Sequence, residues 1–225
     1  MAGDEELSPP SRTGAAMFQD RRSAGARLAK DLARYKDENP IVLALPRGGV
    51  PVGYEVARAL GAPLDVYVVR KLGAPQQPEL GIGALAPGDV LVLDNETIRL
   101  LGITREEVAL VVERERAEME RRLLRFRGDR PLLDLKDRTV ILVDDGLATG
   151  VTAYAAVQAL RTMEPRKIVL AVPVCAVQTA RVLRAEVSDL VCLSAPDDFG
   201  AVGIWYKNFD QTTDDEVIRL LQGED

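Results

Sequence analysis

The chain has 225 residues, and its 47% apolar and 28% charged content suits one α/β domain with appendages. A net charge of −6 argues against a nucleic acid or an anionic membrane as partner, because proteins that bind those gather Lys and Arg on one face. No histidine is present, which removes Ser-His-Asp triads, Cys-His pairs and His-ligated metals and leaves carboxylates, hydroxyls, Lys and Arg to do any chemistry.

Residues 1–13 are acidic and contain Ser8-Pro9-Pro10-Ser11; they lack the apolar run of a secretory signal and are expected to be flexible. Phe18, Ala24, Leu28, Leu32 and Tyr35 fall at helical spacing, with Asp20 placed to cap or favour the first turn, so a helix is predicted over 18–35. Asn39-Pro40 breaks it, and the apolar run Ile41–Leu45 reads as a central strand. That strand runs into Pro46-Arg47-Gly48-Gly49 and then a helix carrying Val52, Val56, Ala57 and Leu60. A strand, a glycine pair and a helix form an anion-binding corner, to which Arg47 adds fixed positive charge. A second strand over 63–69 delivers Arg70-Lys71 to its C-terminal end. Residues 72–89 are rich in Gly and Pro and long for a passive connection, which predicts a mobile lid or binding loop. Within and after it, 79–85 and 90–93 can pair as a hairpin about Pro87-Gly88-Asp89. The longest helix is predicted over 104–127, where Thr104 and Glu107 make a capping box and Val108, Val111, Val112, Met119 and Leu123 form the stripe. Its Glu and Arg residues read as solvated i,i+4 pairs.

The run Val140-Ile141-Leu142-Val143 reads as a buried strand that stops at two carboxylates, Asp144 and Asp145. Gly146, Ala148, Thr149, Gly150 and Thr152 then make a small-residue turn into a helix over 151–163, whose N-terminus favours a phosphate. A strand over 167–172, a helix over 176–185, a strand over 190–194 and a helix over 213–221 follow. Such alternation predicts a three-layer α/β fold, a mostly parallel sheet flanked by helices. Ligands of these sheets sit outside the carboxyl ends of the strands, where Arg47, Arg70, Lys71, Asp144 and Asp145 are gathered. The aromatic stretch Phe199–Phe209, which holds the only Trp, is either a hood that receives a second substrate or a cluster sealing the sheet edge. Cys175 and Cys192 lie in apolar stretches without CxxC spacing, as buried thiols of a reducing cytoplasm would. No apolar run reaches membrane-span length.

Residues 144–152 can be tested against known phosphate loops. A Walker A loop needs Lys where Val151 stands, and the G-x-G-x-x-G of a dinucleotide fold is absent. What remains, four apolar residues, two acids and a Thr-Gly-x-Thr turn, resembles the phosphoribosyl-diphosphate motif of the type I phosphoribosyltransferases. The resemblance covers roughly residues 40–195 by motif order. The Asp-Arg-x-x-Ala-Gly start at Asp20–Gly25 is similar to that of stand-alone bacterial members.

Beside the flexible segment 1–13, a single domain is expected over 14–225, with the core implied by the resemblance at 40–195 and a small hood from 14–35 and 196–225. It implies that Asp144 and Asp145 bind the ribose 2- and 3-hydroxyls and act on Mg²⁺ indirectly, through the bound ribose or water. Leu147, Ala148, Thr149, Gly150, Val151 and Thr152 would hold the 5-phosphate. Arg47, Gly48 and Gly49 match the pyrophosphate loop, which in this family often contains a non-proline cis peptide, expected here at Arg47-Gly48 or a neighbouring bond. Arg70 and Lys71 would neutralise the departing pyrophosphate, and Trp205 and Tyr206 would line the hood. The implied reaction, in nucleotide metabolism, moves the 5-phosphoribosyl group from phosphoribosyl diphosphate to a nitrogenous acceptor. A non-catalytic regulator that binds the same donor, and a hydrolase using water, remain alternatives, and homodimerisation is left open. Members acting on 6-oxopurines carry an acid two positions before the loop glycine; Ala148 stands there, which disfavours hypoxanthine or guanine as acceptor.

Overall fold

The computed structural model describes residues 17–224. The expectation of flexibility over 1–13 lies outside the described residues. Five strands, β1 (Ile41–Ala44), β2 (Leu64–Val66), β6 (Thr139–Val143), β7 (Lys167–Val174) and β8 (Asp189–Ser194), form a parallel sheet in the order β2-β1-β6-β7-β8. The remaining strands, β3 (Arg70–Ala74), β4 (Gln77–Ala86) and β5 (Val90–Leu93), form a separate antiparallel sheet.

The central strands are apolar throughout because both their faces are covered, and alternate residues go to opposite cores. Ile41, Leu43, Val140, Leu142, Ile168, Leu170 and Val172 pack with helix α5 (Val151–Arg161). Val42, Ile141, Val143, Val169 and Ala171 pack instead with α1 (Arg21–Leu32) and α2 (Gly49–Leu60). The two helices of that layer approach closely at Gly25, where a Cβ would sit 2.6 Å from the Val52 carbonyl oxygen. A third core joins the antiparallel sheet to α4 (Arg105–Arg127) and the C-terminal α7 (Asp214–Leu221), through Leu72, Ile82, Leu85, Val108, Val111, Phe126, Val217 and Leu220. The result is the three-layer, mostly parallel architecture expected. Helices α3 (Asn95–Leu100) and α6 (Val177–Arg184) are the remaining α-helices among the described residues.

Local signals explain where elements start. Thr104 and Glu107 exchange hydrogen bonds at the head of α4 as a capping box. Asp20 and Ser23 do the same for α1, so that helix begins at Arg21 and not at Phe18 as expected. Beyond Leu32 the chain tightens into a 3-10 turn over Ala33–Glu38.

The largest departure is at residues 63–93. The predicted strand over 63–69 is a strand only at Leu64–Val66, and the segment over 72–89 expected as a lid or binding loop carries most of β3 and all of β4. The β3–β4 ladder slips at Gly73, where a Cβ would meet the Pro78 carbonyl oxygen at 2.2 Å. Such a slip erases the apolar alternation that marks a strand, so β3 was hidden by its own glycine. The expected pairing of 79–85 with 90–93 is present as β4–β5. The charged face of α4 also departs from expectation. Glu118 pairs locally with Arg121 and Arg122, but Glu115, Arg116, Arg125 and Arg127 reach Arg70, Asp89, Asp214 and Asp65 elsewhere in the chain.

Candidate functional site

The C-terminal end of β6 releases Asp144 and Asp145 at the centre of the sheet edge. Asp144 Oδ1 accepts the Asp145 backbone N–H at 2.8 Å. Asp145 is held further by Tyr206, whose hydroxyl donates to its carbonyl oxygen at 2.5 Å, and by Arg21, whose Nε–H donates to Oδ2 at 2.7 Å. Two carboxylate oxygens, Asp144 Oδ2 and Asp145 Oδ1, have no hydrogen-bond partner among the described residues. Burial raises the Asp144 carboxyl well above the usual carboxylate range, and the neighbouring Asp145 charge pushes it the same way. Burial also raises Asp145, against the opposing pull of the Arg21 guanidinium. The pair is therefore a pocket of acceptors short of positive charge and of hydrogen-bond donors.

The loop after β1 lies directly on these carboxylates. A Cβ at Gly48 would fall 2.0 Å from Asp145 Oδ2, and one at Gly49 would fall 2.7 Å from the Val143 carbonyl oxygen. Only glycine allows the two strand-end loops to meet this closely. The cis peptide is Pro46-Arg47, the bond before the one named in the expectation and within the neighbours it allowed. The Arg47 guanidinium reaches 3.4 Å from Asp214, the first residue of α7, which Arg125 also contacts at 2.7 Å.

The third wall is the turn from Gly146 to α5. Leu147 is stitched to the start of the β7–α6 connection, its N–H donating to the Val174 carbonyl and its own carbonyl accepting from Ala176. The Ala148 carbonyl accepts from the Thr179 hydroxyl at 2.5 Å. Gly150 takes a left-handed φ of 69° and opens α5 without a side-chain cap. The first-turn amides of α5 consequently face outward with no capping acceptor, and Thr149 and Thr152 are exposed beside them. Carboxylate acceptors, a glycine loop with an Arg and a bare helix N-terminus thus share one sheet edge. Together they suit a ligand that carries hydroxyls and phosphates.

Residues 16–207 match the family model described as "Phosphoribosyl transferase domain". The chain belongs to this phosphoribosyl transferase family. It is 45% identical over 205 residues to two Mycobacterium tuberculosis proteins, named "Putative phosphoribosyl transferase MT0597" (strain CDC 1551 / Oshkosh) and "Putative phosphoribosyl transferase Rv0571c" (strain ATCC 25618 / H37Rv). The match takes in 91% of this chain but 46% of theirs, so the chain spans about half the length of these curated relatives. Among solved structures it is similar to TT1426 from Thermus thermophilus, with 44% identity, a TM-score of 0.84, and coverage of 92% of this chain and 98% of that one.

The other residues singled out from the sequence lie in different settings. Arg70 opens β3 and donates through Nε and a terminal nitrogen to Glu115 of α4, at 2.9 and 2.6 Å. Lys71 follows it and is exposed. Both stand on the antiparallel sheet, and not at the end of a strand of the parallel one. Trp205 is half-buried and donates its indole N–H to the Phe199 carbonyl. Tyr206 is buried between Phe18 and Phe209, with ring centroids 5.4 and 5.1 Å away, and its hydroxyl pKa is raised by burial. The two aromatic segments are bound together by backbone: Phe18 N–H donates to Trp205, and Lys207 N–H donates back to Phe18. Arg21 is the residue that sequence reasoning passed over. Its only signal was its place in the Asp-Arg-x-x-Ala-Gly start, which carries no chemistry until Asp145 is seen beside it.

Proposed function

We propose that the chain binds phosphoribosyl diphosphate and transfers its phosphoribosyl group to a nitrogenous acceptor with release of pyrophosphate. The observation that supports this most is the contact between the glycine pair and the two carboxylates, with open oxygens at Asp144 and Asp145. Those two acceptors suit the vicinal hydroxyls of a ribose. The α5 amides and the hydroxyls of Thr149 and Thr152 suit its 5-phosphate, and Arg47 with the Gly48 and Gly49 backbone suits the diphosphate.

No cluster of three or more His, Cys, Asp or Glu side chains among the described residues could hold a metal alone. With their open oxygens taken up by the sugar hydroxyls, Asp144 and Asp145 fit Mg²⁺ indirectly, through the bound ribose or water, since that ion draws most of its ligands from substrate oxygens and water. When bound, that ion would neutralise charge on the diphosphate. The chain's own work is then positioning. The sugar is fixed by its hydroxyls and 5-phosphate, the C1–O bond to pyrophosphate breaks, and the acceptor nitrogen bonds C1 as its proton passes to the departing pyrophosphate or to water.

The acceptor would enter under the hood of Trp205 and Tyr206. One observation favours a second reading, that of a donor-binding regulator without turnover: Arg70 is committed to Glu115, so a cation assigned to the leaving group is bound elsewhere in this state. A pyrophosphate-release screen with phosphoribosyl diphosphate, Mg²⁺ and a panel of nucleobases and small amines separates the two. Release with at least one nitrogenous acceptor is the expected result. Binding of the donor with no release across the panel would favour the regulator, and release without any acceptor would favour a hydrolase.

A further inference from the structure

Arg21 makes more connections at the site than any assigned role requires. It is the first residue of α1, and its side chain is 11% exposed. Its Nε–H donates to Asp145 Oδ2 at 2.7 Å, and its NH1 donates to the Asp210 carbonyl at 2.7 Å. Its guanidinium carbon lies 3.8 Å from the centre of the Phe209 ring. A Cβ at Gly48 would be 3.2 Å from the same Nε. One planar cation thus touches the carboxylate, the glycine loop and the hood.

The consequence falls on Asp145. Its N–H is used by Asp144, its carbonyl by Tyr206, and its Oδ2 by Arg21, while Oδ2 is also walled in by Gly48. Only Oδ1 remains to meet a ligand. Without Arg21 the carboxylate could rotate about its Cβ–Cγ bond and exchange its oxygens, and a largely buried charge would lose its partner.

We propose that Arg21 is a positioning residue of the donor site: it fixes the Asp145 carboxylate so that Oδ1 faces the sugar hydroxyls, and it ties the hood segment 209–210 to that carboxylate. Lysine cannot replace it, because a single ammonium lacks the planar fork that binds Asp145 and Asp210 together while stacking on Phe209. This inference rests on the reading of Asp144 and Asp145 as the diol site.

The test compares ribose 5-phosphate, which carries the diol, with inorganic phosphate, which does not, by titration calorimetry on the full chain. Wild type, Arg21→Met, Arg21→Lys, Asp145→Asn and the Arg21→Met/Asp145→Asn double variant are measured. Arg21→Met is expected to weaken ribose 5-phosphate about tenfold or more, the scale of one lost charge-assisted hydrogen bond, and to leave inorganic phosphate unchanged. Arg21→Lys should recover only part of the loss. In the double variant the Arg21 change should add nothing to Asp145→Asn, since it acts through that carboxylate. Equal loss for both probes, or additive losses in the double variant, would overturn the assignment in favour of a purely structural role; so would wild-type preference for ribose 5-phosphate in Arg21→Met. Should Arg21→Met not fold, full wild-type affinity in Arg21→Lys would overturn it equally. If the wild type itself binds ribose 5-phosphate no better than phosphate, the diol-site reading fails, and this inference with it.

Discussion

The parallel-sheet edge and the antiparallel sheet both bring charged residues to strand ends, yet they differ in what those charges have left to bind. On the parallel sheet, Asp144 Oδ2, Asp145 Oδ1 and the first-turn amides of α5 are open among the described residues. On the antiparallel sheet the Arg70 guanidinium is engaged twice by Glu115, a residue 12% exposed. A charged side chain at a strand end is therefore a weak sign of a ligand. Unused hydrogen-bonding capacity in a partly buried place is the stronger one, because leaving it unmet costs free energy that a ligand can recover.

This contrast can be broken at several points. The largest effect of a single substitution is expected from Gly48→Ala, whose methyl would displace Asp145 Oδ2 from a position 2.0 Å away. Affinity for phosphoribosyl diphosphate should fall about 100-fold, the equivalent of two lost hydrogen bonds to charge, with the circular dichroism of the fold retained. Unaltered affinity would mean that the two loops do not act as one site. Arg70→Ala should do much less to binding, within about threefold, because that guanidinium is already satisfied by Glu115. A loss as large as that of Gly48→Ala would show that Arg70 leaves Glu115 for the ligand and would erase the distinction between the sheets.

The smallest effect concerns stability and has a definite sign. The Asp144 carboxyl is raised well above its ordinary 3.8, first by burial and then by Asp145. The folded chain then holds that proton more tightly than the unfolded chain, so stability is fullest below 3.8 and declines as pH rises through the raised value. Asn at 144 does not titrate. Asp144→Asn should thus stabilise the protein at pH 7, while binding suffers, as happens where a functional group is strained for its task. Thermal melts from pH 4 to 8 should show the advantage shrinking as pH falls; a variant less stable than wild type at pH 7 would contradict the account of the pair.

How much of this was legible in the sequence follows from distance along the chain. Residues 140–152 form strand, carboxylates and helix start in one stretch, so local pattern and motif sufficed. The same holds for Ile41 to Gly49, a strand running into a glycine pair. Arg21 reaches Asp145 across 124 positions, and Tyr206 reaches it across 61, so neither contact leaves a local trace. The antiparallel sheet was half legible. β4 and β5 carried a turn signal at Pro87-Gly88-Asp89, whereas β3 was masked by its slip at Gly73. Helix α3 was missed because six residues capped by Asp94 are too short for periodicity to show.

The most direct test of the central claim is calorimetric titration of phosphoribosyl diphosphate with Mg²⁺ into wild type and Asp144→Asn/Asp145→Asn. Saturable binding is expected in the wild type and a loss of about 100-fold or more in the double variant, whose amide oxygens stay with the residue 145 N–H and Arg21 and leave only NH2 donors facing the hydroxyls. Equal affinity in the two proteins would contradict the assignment of the donor sugar to Asp144 and Asp145.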